Sequence, residues 1–343
     1  MFTAMFGAVE QGIIYAIMAL GVYLTFRVLD FPDLTVDGSF VSGAATAATM
    51  IVLGYHPILA TLAAIVVGFI AGCITGLLHT KGNINPLLAG IIMMIGLYSV
   101  NLRIMGFSSE NATSLPNVPL LNSETIFTKI YSFWEHLGID AFFNNILTSL
   151  GVKNLPQTWE ILFVMIILTT AIKFIVDWFL KTEIGLAIRA TGDNKRMIRS
   201  FSANTDTLII LGVGLSNGLV ALAGALIAQY NKYSDATMGI GMITVGLASV
   251  IIGEAIFGTK SIMRTTFAVI VGAIVYRIVL AIALRVPFLD ASDMKLITAI
   301  IVILALIVPQ MIDKQKDKKR KAKRLQEKLA AAQLEKQGGD HLA

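Results

Sequence analysis

The feature that most restricts this chain is a series of long apolar runs: 10–29, 37–54, 57–79, 85–105, 158–180, 205–229, 240–257, 261–283 and 294–312. An α-helix needs roughly 20 mostly apolar residues to cross a bilayer, so each run is a candidate span. The reading is an all-α integral membrane protein with about nine transmembrane helices, eight to ten being the defensible range. Run 240–257 is short, and 30–38 is ambiguous between a loop and a broken helix. Only 14% of the residues are charged and the mean hydropathy is +0.76. A soluble domain carries about 25% charged residues, so soluble enzymes and disordered regulators are excluded.

Charge places the loops. Residues 1–312 hold 17 Lys and Arg against 17 Asp and Glu, whereas 313–343 hold 10 against 5. The net charge of +5 therefore belongs to a basic tail, expected to be cytoplasmic, and nucleic acid drops out as a partner. The connection 181–204 contains Lys181, Arg189, Lys195, Arg196 and Arg199 and reads as cytoplasmic. Lys260 and Arg264 mark a second inner loop. Segment 106–157 has two lysines among four acids and reads as an external loop, with amphipathic stretches that fit one or two short interfacial helices. The N-terminus is then external, the C-terminus internal and the localisation the plasma membrane, among lipid. The opposition of Arg285 to Asp290 and Asp293 on an outer loop fits this scheme least well. The first basic residue is Arg27, which argues against a cleaved secretory signal.

An internal repeat runs through the chain. At an offset of 204, residues 54–68 match 258–272 at Gly54/Gly258, Ile58/Ile262, Thr61/Thr265, Ala64/Ala268, Val67/Val271 and Gly68/Gly272. At an offset of 202, Asp33-x-Thr35 falls on Asp235-x-Thr237. The loop charges give the two copies opposite orientations, and inverted repeats of this kind are built into transporters.

Two stretches carry the candidate function. In Arg27-Val-Leu-Asp-Phe-Pro-Asp-Leu-Thr-Val-Asp-Gly-Ser-Phe40, three aspartates, a proline and a glycine separate two apolar spans. Irregular backbone at membrane depth is tolerated where it is buried in protein or lines a wet cavity. Asp33, Thr35, Asp37 and Ser39, with Glu254 near the inner end of its run, are the candidate path residues. The plain alternative is a loop in which Thr35 or Asp37 caps the next helix. The second stretch, 184–206, has Gly192-Asp193 between two helical pieces, with Asp193 able to cap the helix from Lys195 onward. A short basic amphipathic helix there suits docking to a cytosolic motor, through Arg189, Gly192, Asp193, Asn194, Arg196 and Met197, or lying on anionic lipid. Among intramembrane charges, Lys173 and Asp177 can pair at i,i+4. Arg103 and Arg277 can snorkel or meet a substrate carboxylate. Gly68, Gly72 and Gly76 mark close helix packing.

Ile14-Tyr-Ala-Ile-Met-Ala-Leu-Gly21, the interrupted stretch after Arg27, and Arg189-Ala-x-x-Asp193 with Asn204-Thr-Asp resemble the permeases of ABC importers for branched-chain amino acids and sugars, over 1–312. Asp30-Phe-Pro-Asp-Leu-Thr-Val-Asp-Gly-Ser-Phe40 with His79-Thr-Lys and Asn85-Pro-Leu-Leu-Ala-Gly90 resembles a sub-group linked to tryptophan or other aromatic amino acids. The resemblance implies a permease domain paired with a second copy, resting on two ATP-binding cytosolic subunits and fed by an external substrate-binding protein. It also implies a coupling region at Arg189–Asn204. Two departures stand out: Asp30-Phe-Pro-Asp-Leu replaces the branched-chain pattern Asn-Phe-Ala-His-Gly, and Ser202 stands where Gly is usual. The chain has no Gly-x-x-x-x-Gly-Lys-[Ser/Thr] loop, so ATP hydrolysis is expected on a partner. His56, His79, His136 and His341 show no ligand spacing, and no metal or cofactor is expected. The rival reading is a secondary transporter of a small polar solute, driven by an ion gradient through Asp33, Asp37 or Glu254.

Overall fold

The computed structural model describes residues 2–285, except 110, 111, 137, 150–154, 157 and 201–203, together with 296–300, 303 and 307. The basic tail 313–343, Asp290, Asp293, Ser202 and most of run 294–312 lie outside the described residues. Helices dominate: α1 (Phe2–Tyr23) continuing into a π-turn (Leu24–Val28), α2 (Thr35–Val52), α3 (Pro57–Thr80) and α4 (Pro86–Gly106). Then come strand β1 (Asn117–Pro119), α5 (Ile126–Glu135), α6 (Ile139–Ser149), α7 (Glu160–Phe179), α8 (Glu183–Asp193) and α9 (Lys195–Ser200). The described part closes with α10 (Thr205–Asn231), β2 (Tyr233–Asp235), α11 (Met242–Phe257) and α12 (Ile262–Ala283).

Six described helices are long and apolar enough to cross a membrane: α1 with its π-turn, α3, α4, α7, α10 and α12. Helices α2 and α11 occupy runs 37–54 and 240–257. At 16 residues α11 is short, and α2 carries Asp37, Gly38, Ser39, Ser42 and Gly43 within its first nine residues. That polarity is tolerable because α2 is enclosed: nearly all its residues are buried by α3, α4 and α10. Position explains the contrast. Helices α1 and α10 form the centre, 72% buried over their apolar windows, against 22% for α4. The outer helices expose Leu62, Val66, Ile95, Ile167 and Ile175, the surface expected to face hydrocarbon.

Close packing rests on small residues where helices cross. A Cβ added at Gly43 or Gly224 would come 2.0 Å from the carbonyl oxygen of Ala221 or Phe40, so α2 and α10 touch backbone to backbone. Gly68, Gly72 and Gly76 admit α10 against α3 in the same way, at 2.3, 2.4 and 2.8 Å from its atoms. The Lys173–Asp177 pair forms at 2.6 Å, and the Thr266 hydroxyl donates to Asp177 at 2.7 Å, tying α7 to α12.

Two short amphipathic helices, α5 and α6, lie within segment 106–157. A capping box between Thr125 and Thr128 opens α5. The segment also holds something the pattern did not announce: β1 pairs antiparallel with β2, Val118 opposite Ser234. Three-residue strands offer too little alternation to be read from sequence.

Candidate translocation and coupling site

The interrupted stretch is built by a reversal inside the bundle. The π-turn ends with Leu29 N–H donating to Leu24 O at 3.0 Å, and Phe31 N–H reaches back to Thr25 O at 2.9 Å. Asp30 supplies the turn with φ of 52°, a left-handed conformation that Asp tolerates. The chain then moves inward. Asp33, fully buried, accepts from Thr35 N–H at 2.9 Å and from Asn217 Nδ2 at 2.6 Å. Asn217 lies 12 residues into α10, about 18 Å along its axis, so α2 begins deep in the protein. The Thr35 hydroxyl meets that of Thr75 at 2.8 Å.

A second interruption enters from the opposite end. After β2, Asp235 accepts from Thr237 N–H at 2.7 Å, echoing the bond between Asp33 and Thr35. The chain descends past Gly239, where an added Cβ would lie 2.1 Å from Asp37 O. It starts α11 beside α2. Asp37 is a cap, but for the other helix: its carboxylate accepts from Gly241 N–H and Ile243 N–H, each at 2.8 Å. Helix α2 itself follows Leu34, whose side chain makes no cap. From this junction α2 and α11 run to opposite ends of the bundle. Beside it lies a cavity of about 520 Å³, walled by Asp37, Gly38, Met94, Tyr98, Asn101 and Ile240 among others. Asn101 bridges to Gly38 O at 3.1 Å and accepts from Ser42 Oγ at 2.8 Å.

A second cavity, about 460 Å³ and mostly polar, opens at the end that carries the basic connection. Tyr23, Arg27, Arg189, Asp193, Glu254 and Lys260 line it with others. Arg27, in the π-turn, forms an ion pair with Glu254 of α11. Helix α8 is wedged against this turn, since an added Cβ at Gly192 would sit 2.2 Å from Val28 O. Asp193 is the last residue of α8, and Asn194, not Asp193, caps α9 by accepting from Met197 N–H at 3.1 Å. The reason is conformational: Asn194 has the extended backbone (φ −157°, ψ 91°) that a cap needs, while Asp193 is still helical. Asp193, Asn194, Arg196 and Met197 are exposed, and Ile198 is buried. Lys195 lies 3.4 Å from His79 Nε2. Partial burial, with the Arg199 charge close by, lowers the pKa of its ammonium.

Of the candidate path residues, Asp37 and Glu254 reach cavities, whereas Asp33, Thr35 and Ser39 are buried between helices. Arg189 and Asp193 line one cavity with Arg27 and Glu254, and Gly192 abuts the π-turn, whereas Asn194, Arg196 and Met197 lie exposed on the stretch that follows. Sequence reasoning passed over Asn101, Asn217 and Tyr98. The available signal was plain: two asparagines inside apolar spans, where polar side chains need partners.

Six described helices long and apolar enough to span a membrane, two interrupted ones that meet at the centre of the bundle, and an exposed basic stretch at one end describe the architecture of the class. The chain belongs to the family described as branched-chain amino acid transport system, permease component, whose pattern matches residues 4–308. It is similar to the tyrosine transport system permease protein of Clostridioides difficile (strain R20291), 41% identical over 293 residues, 85% of this chain and 87% of the relative. An uncharacterized protein of Rickettsia prowazekii (strain Madrid E) is 34% identical over 304 residues, 87% of this chain and 95% of that protein. The ribose import permease protein of Escherichia coli (strain K12) is 24% identical over 307 residues, 89% of this chain and 84% of the relative. No solved structure matches. The chain is thus a multi-pass membrane permease component of the ABC transporter type.

Proposed function

We propose that this chain is the membrane-spanning subunit of an ATP-driven importer for an amino acid, of the aromatic class, delivered by an external substrate-binding protein. Two copies would sit on two ATP-binding cytosolic subunits. The N-terminus would be external, and the connection 181–204 and the tail 313–343 internal. The observation that carries the coupling role is the junction at Gly192. An exposed basic helix is backed by α8, and α8 bears directly on the π-turn whose Arg27 holds Glu254 at the end of α11. A push on α8–α9 by closing motors has a short solid route to the broken helix, of the kind that rigid-body switching requires. The aromatic substrate class rests on the similarity to the tyrosine permease.

The packing pattern supports the inverted repeat. Helix α2 packs on α3 and α10, while α11 packs on α12 and α1; likewise α3 packs on α10 and α12 on α1. Exchanging α1 with α10, α2 with α11 and α3 with α12 reproduces these neighbours. In a nine-span scheme, run 294–312 would then correspond to α4, consistent with Ile297 packing near Ala248 of α11.

The coupling role is tested by reconstituting the complex and measuring ATP turnover and uptake together. R196E and D193A should retain ATP turnover and lose most uptake. Unchanged coupling in both variants would move the docking site elsewhere.

A further inference from the structure

Arg277 is the one charged residue of α12 beyond its first turn, and it lies six residues, about 9 Å along the axis, inside the Ala283 end of the helix. A charge at such depth requires compensation. The guanidinium is held over the ring of Tyr15, its Cζ 3.8 Å from the centroid, and Tyr15 stacks with Phe40 at 6.0 Å and 8°. Cation–π attraction fixes the plane of the group but leaves its in-plane N–H donors unsatisfied. Among the described residues no carboxylate comes within 4.0 Å, and Nε is buried without a hydrogen-bond partner. Glu10, near in sequence to Tyr15, is engaged by the Tyr230 hydroxyl at 3.1 Å.

Arg277 faces a cavity of about 290 Å³ between α1 and α12, lined by Gly7, Ala8, Gln11, Ala281 and others. Its walls are small residues together with Leu280 and Leu284, its polar groups are Arg277 and Gln11, and no anion is supplied from within the described protein. A volume near the lower end of ligand pockets, about 300 Å³, suits a small solute. From these observations we infer that Arg277, with Gln11 beside it, forms an intramembrane site for a carboxylate: the α-carboxylate of the transported amino acid. The assignment to a transported amino acid rests on the preceding functional reading; the carboxylate site itself does not. A planar guanidinium pairs with a carboxylate through two parallel hydrogen bonds, which an ammonium cannot reproduce.

The test is equilibrium binding to the full chain in nanodiscs, with three probes: L-tyrosine, 3-phenylpropionate (carboxylate without ammonium) and phenethylamine (ammonium without carboxylate). R277Q should weaken the two carboxylates by about 10-fold or more, the scale of a charge-assisted hydrogen bond, while leaving phenethylamine unmoved. R277K should be intermediate. A281L, which fills the cavity and spares the guanidinium, should also weaken carboxylate binding, so the site remains testable if R277Q misfolds. K81Q, at an exposed lysine that follows α3, serves as the control charge. Equal carboxylate binding by wild type, R277Q and A281L would overturn the proposal, as would absence of carboxylate binding to wild type. So would native mass spectra in which R277Q sheds a bound phospholipid and carboxylate binding does not change. If 3-phenylpropionate binds through Arg277 and L-tyrosine does not bind, the carboxylate site stands and the aromatic amino acid reading fails.

Discussion

Removing the Asp37 carboxylate probes the junction of the two broken helices. In the native protein it accepts two backbone hydrogen bonds at 2.8 Å from the start of α11, and D37A leaves both donors without an acceptor. A hydrogen bond to a charged group contributes about 1.5–3 kcal/mol. Two give about 3–6 kcal/mol, from which relief of the buried charge subtracts some. A net destabilisation of about 2–4 kcal/mol follows, or a fall in Tm of about 4–8 °C at roughly 2 °C per kcal/mol for a large domain. D37N keeps one carbonyl acceptor and should lose about half as much. Thermal unfolding of the nanodisc-embedded chain, followed by circular dichroism, gives the ranking. A D37A protein melting within about 1 °C of wild type, or a D37N protein as damaged as D37A, would remove this role from Asp37.

Two further perturbations address what holds the bundle together. G43A and G224A each drive a Cβ to 2.0 Å from a facing carbonyl, so α2 and α10 must separate. A loss of about 1–3 kcal/mol or more is expected in the same melts. G96A, with nothing within 4 Å, should be neutral or slightly stabilising. D177N strands the buried Lys173 ammonium and should cost about 3–5 kcal/mol, whereas K173M/D177L should recover much of that. Equal melting of the single and double variants would remove the pair from the account.

Much of the fold was written in the apolar runs, because a membrane span is long and its signal accumulates over some twenty residues. The break after Arg27 was legible too, since Pro32 and Asp30 stand against helix continuation; the second break falls at Asn194, with Gly192 still inside α8. What the sequence could not show is partnership. Nothing in the local pattern says that Asp37 caps α11, 204 residues away from Gly241, or that Asp33 is anchored by Asn217. The cap of α9 was misplaced by one residue because Asp193 and Asn194 are both good caps, and the backbone conformation decides between them. The pairing of Arg27 with Glu254 is likewise long-range, although each charge was conspicuous alone.

On the function proposed above, this permease works only with a separate ATP-hydrolysing partner. Its most direct test is uptake of labelled aromatic amino acids into proteoliposomes holding the full chain, with or without the co-reconstituted ATP-binding subunit, the external binding protein being present in both. Uptake should require both ATP and the second subunit. Accumulation by this chain alone, driven by a proton or sodium gradient with no ATP, would contradict it.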